Sequence, residues 1–293
     1  MNVVLRVSLL LLGVYACSTA VIMIKAGTVP PMLLAGYRIL VAAVVLSPLL
    51  VRDLRRFRGR VTWRDLAPTI LPGVVLGLHL ITWIDGARRT LAANAALIVT
   101  MVPIAMPFFL LAMVRERLTR PELAGTIVAM LGVAVLGASD YHVSPGYLRG
   151  DAICFGSMLL FCWYLVLARK HRHFQSIWLY VVPLYFAGGV LCLAAGLVME
   201  RGVHVTYNAK EILLIIGLGI VPTVVGHSIL NYSMKHMRGQ VVGVMTLLEF
   251  IFAGVMAFFF FSEIPSRAFY PAAALVLAGA VIIVKRRREE RKL

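Results

Sequence analysis

Leu91–Val114 reads LAANAALIVTMVPIAMPFFLLAMV, followed at once by Arg115-Glu116-Arg117-Leu118. The run holds no charged side chain over 24 residues. A bilayer-spanning helix rises 1.5 Å per residue and needs roughly 20 apolar residues, whereas a membrane barrel strand alternates and is about half as long. Backbone polar groups in lipid must be satisfied internally, which leaves the helix as the structure for such a run.

Working outward, nine more runs of the same kind appear. They are Val4–Lys25, Met32–Val51, Leu66–Asp85, Pro121–Ala138, Asp151–Ala168, Ile177–Met199, Glu211–Tyr232, Val241–Phe261 and Ala268–Val284. The chain of 293 residues is 61% hydrophobic and 14% charged, with a mean hydropathy of +0.90. Soluble domains lie near 45–50% apolar and about 25% charged. The composition therefore predicts an all-α membrane protein of ten transmembrane helices, with short connections and no soluble domain between them. In the first run, Val14-Tyr15-Ala16-Cys17 hints at a lipoprotein cleavage box. Tyr15 fits that box poorly, and the apolar run continues to Ile24, beyond the roughly 7–15 residues of a secretory core. The segment is read as a retained span.

The net charge of +16 first suggests nucleic acid. Its distribution points elsewhere. With the N-terminus placed in the cytoplasm, the inner side carries 21 Lys and Arg and the outer side 7, with Arg38 inside a span. The positive-inside rule for short loops then places both termini in the cytoplasm and requires an even number of spans. The basic clusters are split among loops and lack interleaved aromatics, so nucleic-acid binding is excluded.

An offset of 147 aligns Glu116 with Glu263, Gly132 with Gly279 and Pro103 with Phe250. An offset of 148 sets His79 opposite His227, and one of 143 sets Leu5-Arg6 opposite Leu148-Arg149. The unit is about five helices, residues 1–140 and 147–293. Five is odd, so the second unit runs inverted relative to the first. Two inverted five-helix repeats are an architecture of secondary transporters, with the substrate near the midplane between the halves.

Specific residues then resemble the drug/metabolite transporter superfamily, EamA type. Cys17-Ser18-Thr19 with Lys25 resembles its first-helix motif, and Tyr37-Arg38-Ile39 its second-helix signature. Pro103 and Pro107 before Arg115-Glu116-Arg117-Leu118 resemble the block closing helix four. Gly150-Asp151 with Trp163-Tyr164 resembles the opening of the second repeat, and Leu248-Glu249-Phe250 with Ser262-Glu263 its closing block. Two positions depart from the pattern. Cys17 replaces a usual Trp, which widens the space beside helix one. Phe250 replaces a usual Pro, which predicts that helix nine lacks the corresponding kink. The resemblance implies export of metabolites from the bacterial cytoplasm across the inner membrane. The Ser18-Thr19 pair and the aromatic content are similar to the YddG-like branch, whose substrates are aromatic and other apolar amino acids. Other metabolites or drugs are the alternative cargo.

Ionisable groups inside a bilayer are costly and suggest function. Glu249 is the acid deepest within a span, suited to a substrate ammonium or a coupling proton, or to a structural hydrogen bond. Arg38, near the outer end of helix two, suits a substrate carboxylate through its planar donor fork, or else snorkels to the headgroups. Lys25, at the end of helix one, is expected to snorkel. His79 and Trp83 share a face of helix three, as His227 and Asn231 do in the repeat. Trp163 is read as an aromatic wall or an interfacial residue. Met101 is placed at the cavity by symmetry. The substrate-binding set is therefore His79, Trp83, Trp163, Met101, His227, Asn231, Glu249 and Arg38. Cys17, Cys154, Cys162 and Cys192 show no CxxC spacing and read as small buried hydrophobes. Neither a metalloprotease motif, an intramembrane catalytic pair nor a phosphate-cradling glycine loop is present. An enzyme, a resident cofactor and ATP-driven pumping are not expected, and a receptor or scaffold would usually bring a soluble domain. The expected partners are an amino-acid substrate and the lipid bilayer, with the chain acting as a monomer.

Overall fold

The computed structural model describes residues 3–90, 92–140, 145–202, 206–262 and 264–289. Glu263, aligned with Glu116 above, lies outside the described residues. Among the described residues ten long helices follow one another, with a short one at Trp63–Leu66 leading into the third: α1 Val3–Ala26, α2 Pro31–Arg56, α3 Ile70–Arg89, α4 in two segments (Ala92–Thr100 and Val102–Val114) and α5 Arg120–Asp140. The second set is α6 Pro145–Lys170, α7 Trp178–Met199, α8 (Ala209–Leu218, Gly219–His227, Ser228–His236), α9 (Gly239–Thr246 and Leu248–Phe261) and α10 Phe269–Glu289. Among the described residues nine helices are long and apolar enough to cross a membrane, and Phe269–Lys285 is a shorter apolar tenth. Phe108, Leu213, Phe259 and Phe260 stand exposed on the perimeter, as side chains facing lipid do.

The inversion of the repeats is visible in the contacts of small residues. On the α2–α7 interface Leu33 meets Gly196, Gly36 meets Leu193 and Leu40 meets Gly189. The numbers rise on one helix as they fall on the other, so these repeat-equivalent helices are antiparallel. On the α5–α10 interface Gly125 meets Gly279 and Gly132 meets Ala272. Gly132 and Gly279 are repeat mates, as are Gly125 and Ala272, so exchanging the halves maps one contact onto the other. A two-fold axis relating antiparallel neighbours lies across the helices, in the plane of the membrane. A methyl group at Gly125 would sit 2.7 Å from the Gly279 carbonyl oxygen, and one at Gly132 would sit 2.6 Å from that of Ala272. The backbones thus touch, the contact that small residues permit where lipid removes the hydrophobic drive for association.

Three helices are interrupted near the middle of the molecule. In α4 the break falls at Met101 and in α9 at Leu247. This corrects the expectation drawn from Phe250, for α9 breaks without a proline. The two breaks share a threonine hydroxyl, and α4 adds Pro103, which has no N–H for the Val99 carbonyl. Thr100 donates its hydroxyl to the carbonyls of Ala96 and Leu97, and Thr246 donates to Gly243. Each threonine competes with the helix ladder one residue before the break, where Met101 N–H bonds Ile98 and Leu247 N–H bonds Val244. In α8 the middle segment Gly219–His227 is π-helical. Pro222 has no N–H for the Leu218 carbonyl, and the Thr223 hydroxyl takes its place at 2.8 Å.

Candidate functional site

The interrupted segments surround a buried polar and aromatic cluster. Arg38 is 1% exposed, and its Nε donates to Thr223 Oγ1 at 2.7 Å. The guanidinium therefore turns inward onto the π-turn of α8, which corrects the snorkelling alternative. The reason is local: the widened turn presents the Thr223 hydroxyl to α2. Tyr185 of α7 bridges the Thr223 carbonyl and Ser228 Oγ, at 3.4 and 3.1 Å. Cys17 of α1 reaches the Pro222 carbonyl at 3.8 Å.

His79 Nδ1 lies 3.0 Å from the Ser157 carbonyl and 2.9 Å from Ser157 Oγ. The serine spends its own proton on the His79 carbonyl, so both partners accept and Nδ1 carries the imidazole proton. Phe161 stacks on the His79 ring with centroids 4.8 Å apart. His227 meets the rings of His79, Phe161 and Tyr164 at 6.3, 5.8 and 5.7 Å. Asn231 donates to the Tyr164 hydroxyl and to the His227 carbonyl. His79 and His227 are repeat mates, and a residue meets its own mate only at the symmetry axis. The dyad passes between these imidazoles.

Buried polar atoms in proteins are nearly all hydrogen-bonded. Here Arg38 Nη1, His227 Nδ1, Asn231 Oδ1 and Glu249 Oε1 are buried without a partner. Glu249 is in the first turn of the second α9 segment rather than midway along a continuous helix. With Cys17, Ser18, Trp83, Thr100 and Ala253 it lines a cavity of about 10 Å³, room for about one water.

Of the sequence-selected residues, Arg38, His79, His227 and Asn231 come together, and Trp83 and Glu249 share the adjoining cavity. Met101 is half-buried at the α4 break, and Trp163 is half-buried on α6 beside the fully buried Tyr164. Sequence reasoning missed Ser157, Phe161, Tyr164, Tyr185 and Thr223. The first three recur at positions i, i+4 and i+7 of α6, one helical face; that spacing was the available signal. Lys25 does not snorkel freely: its Nζ donates to the Thr90 carbonyl at 3.0 Å. All four cysteines are buried free thiols. Among the described residues there is no group of three or more His, Cys, Asp or Glu that could hold a metal ion.

Ten helices in two inverted halves, with unpartnered polar groups buried around the dyad, define a polytopic membrane protein of transporter architecture. The sequence profile of the EamA-like transporter family matches residues 5–138 and again residues 148–285, and the chain belongs to that family. An uncharacterized transporter of Archaeoglobus fulgidus is 26% identical over 187 residues, 64% of this chain and 64% of that protein. One of Clostridium kluyveri is 23% identical over 232 residues, 76% of this chain and 74% of that protein. A solved structure, described as the crystal structure of a protein, superposes with a TM-score of 0.77 at 21% identity over 97% of this chain and 98% of the other. That likeness concerns the fold alone.

Proposed function

We propose that the protein exports apolar and aromatic amino acids from the bacterial cytoplasm by alternating access. The observation that carries this reading is the meeting of His79 and His227 on the dyad of two inverted halves, amid buried polar atoms that have no partner. Rocking of one half against the other exposes such a site to each face in turn.

The unpartnered groups match the backbone of an amino acid. Arg38 offers a free Nη1 donor to a carboxylate, and Glu249 a free oxygen to an ammonium. An Arg at the centre of a span costs about 2.5–3.5 kcal/mol, of which Arg38, about two turns into α2, bears a part, and a hydrogen bond to a charged group returns about 1.5–3 kcal/mol. Thr223 is one such bond, and a bound carboxylate supplies the rest. Phe161, Tyr164 and Trp83 offer the apolar and aromatic surface for the side chain, with Trp163 and Met101 widening the wall as the halves part. His79 and Asn231 orient the polar end. In this reading both termini face the cytoplasm, in keeping with the excess of basic residues on that side, and the monomer is the working unit.

The test is uptake of radiolabelled Met, Phe, Leu and Thr into liposomes carrying the purified protein. Uptake above that of empty liposomes is expected. Folded protein that moves none of them removes the amino-acid reading and points to other metabolites or drugs of the same fold.

A further inference from the structure

A second polar cluster lies away from the dyad, at the ends of α4, α6 and α8 and the starts of α5 and α9. Arg169, the last residue but one of α6, pairs with Glu116 at 2.8 Å, and both side chains are 11% exposed. Arg169 Nη1 also donates to the carbonyls of Met234 and Met237, at 3.1 and 2.8 Å. Met237 is the residue that caps the C-terminus of α8. The other oxygen of Glu116 accepts the Gly239 N–H at 3.0 Å, at the start of α9. Arg238 pairs with Glu122 of α5 and donates to the Arg117 carbonyl. Both acids belong to the first half and both arginines to the second. The ion pairs therefore tie the two halves together across the basic, loop-rich face.

The opposite face carries a matching cation. Lys25 is the last residue but one of α1, the repeat mate of α6, and its Nζ sits on the carbonyl of Thr90. Thr90 caps the C-terminus of α3 as Met237 caps that of α8. A cation on the last carbonyls of a helix is favoured by the helix dipole, and the repeat places one at each end of the molecule. On this face Thr90 in turn donates its hydroxyl to Asp151 of the second half, at 2.6 Å.

We infer that Glu116 and Arg169, with Arg238 and Glu122, form the latch that holds the cytoplasmic face closed, and that the Thr90–Asp151 hydrogen bond, with Lys25 seated on the Thr90 carbonyl, is its counterpart on the outer face. Opening toward the cytoplasm separates Glu116 from Arg169 and from the start of α9, while the Thr90–Asp151 contact holds the outer face shut. The halves then exchange these roles. The cytoplasmic assignment rests on the topology proposed above; the pairing across the halves does not.

The test reads access without substrate. In protein whose four native cysteines are replaced, Ala168→Cys places a reporter on the buried inner end of α6, and Ala96→Cys places one on α4 beside the interior cavity. An Arg60→Cys marker in the exposed loop after α2 reports topology separately. A membrane-impermeant maleimide is applied to vesicles of each orientation. Glu116→Gln and Arg169→Gln are expected to speed labelling of Ala168→Cys from the cytoplasmic face by about tenfold or more, as a shift toward the open state does. The exchanged pair, Glu116→Arg with Arg169→Glu, restores slow labelling. Thr90→Val speeds labelling of Ala96→Cys from the outer face and leaves Ala168→Cys slow. Unchanged labelling in Glu116→Gln, or a rise from both faces alike, overturns the latch. Failure of the Arg60→Cys marker to label from the cytoplasmic face overturns the topology and leaves the latch standing.

Discussion

Arg115 and Ser262, 147 positions apart, adopt the same left-handed backbone, with φ of 54° and 55°. Each caps the C-terminus of its helix by donating its N–H to a carbonyl five residues back, Leu110 for Arg115 and Ala257 for Ser262. The repeat is thus preserved down to a conformation that residues other than glycine rarely adopt. Ser262→Gly is expected to stabilise the protein by about 0.5–1 kcal/mol, because it removes the left-handed penalty at some cost in unfolded-state entropy. Ser262→Val is expected to destabilise it. Thermal unfolding of the two variants in detergent checks both signs.

Backbone contact between helices gives a second pair of outcomes. A Cβ at Gly188 would lie 2.4 Å from the Gly73 carbonyl oxygen, whereas one at Gly156 meets nothing within 4 Å. Gly188→Val should cost about 1–3 kcal/mol by overpacking, and Gly156→Ala should leave the unfolding midpoint unchanged or slightly raised. Equal effects of the two would contradict the packing of α3 on α7.

Much of this was legible in the sequence. Ten spans follow from run length, because a bilayer imposes one length on every crossing. The inverted pairing follows from the odd number of helices in each repeat. The α9 break is not legible from proline, because Phe250 stands where a proline would mark it and the Thr246 hydroxyl beside the break is a feature that unbroken helices also carry. Of the two readings of Arg38, pattern alone does not separate the inward one from snorkelling. Its partner arises from a π-turn 185 residues away in sequence, and local pattern does not encode such a meeting. The family likeness marks Trp163, and neighbours in a helix point about 100° apart; it is Tyr164 that meets His227.

Arg38 is held through its Nε, and its Nη1 is free for cargo. Arg38→Lys keeps the charge and loses the planar fork. It is expected to raise the apparent KM for amino acids about tenfold or more, equivalent to about 1.4 kcal/mol, with protein yield retained. Initial rates in proteoliposomes, compared with those of Thr223→Val, check this. Thr223→Val leaves a buried charge short of a bond worth about 1.5–3 kcal/mol and should lower stability as well. His79→Ala should likewise raise the apparent KM, and an unchanged value in a folded variant would remove His79 from the site.

Glu249 is the acid beside the interior cavity, and it is the coupling candidate. Glu249→Gln is expected to abolish the pH dependence of transport while leaving counterflow measurable. Transport by the variant across a range of pH tests it, and an unchanged profile assigns Glu249 to substrate binding or packing instead.

Outside the spans, burial holds the His171 imidazole below the ordinary histidine range, against the opposing hydrogen bond to the Leu167 carbonyl. The unfolded chain then binds more protons than the folded one. The stability contributed by this group is present above the unfolded pKa of about 6.5 and is lost as pH falls below it. His171→Phe should flatten that part of the pH–stability curve, as unfolding midpoints at pH 8 and 5.5 would reveal.

The most direct measurement is counterflow. Liposomes carrying the protein are loaded with unlabelled Phe or Met and diluted into a trace of the labelled amino acid. An alternating carrier returns with label each time it delivers unlabelled cargo, so a transient accumulation of label above its equilibrium level is predicted. Binding of the amino acid without such an overshoot would contradict transport about the His79–His227 dyad and would leave a membrane protein that binds its ligand without carrying it.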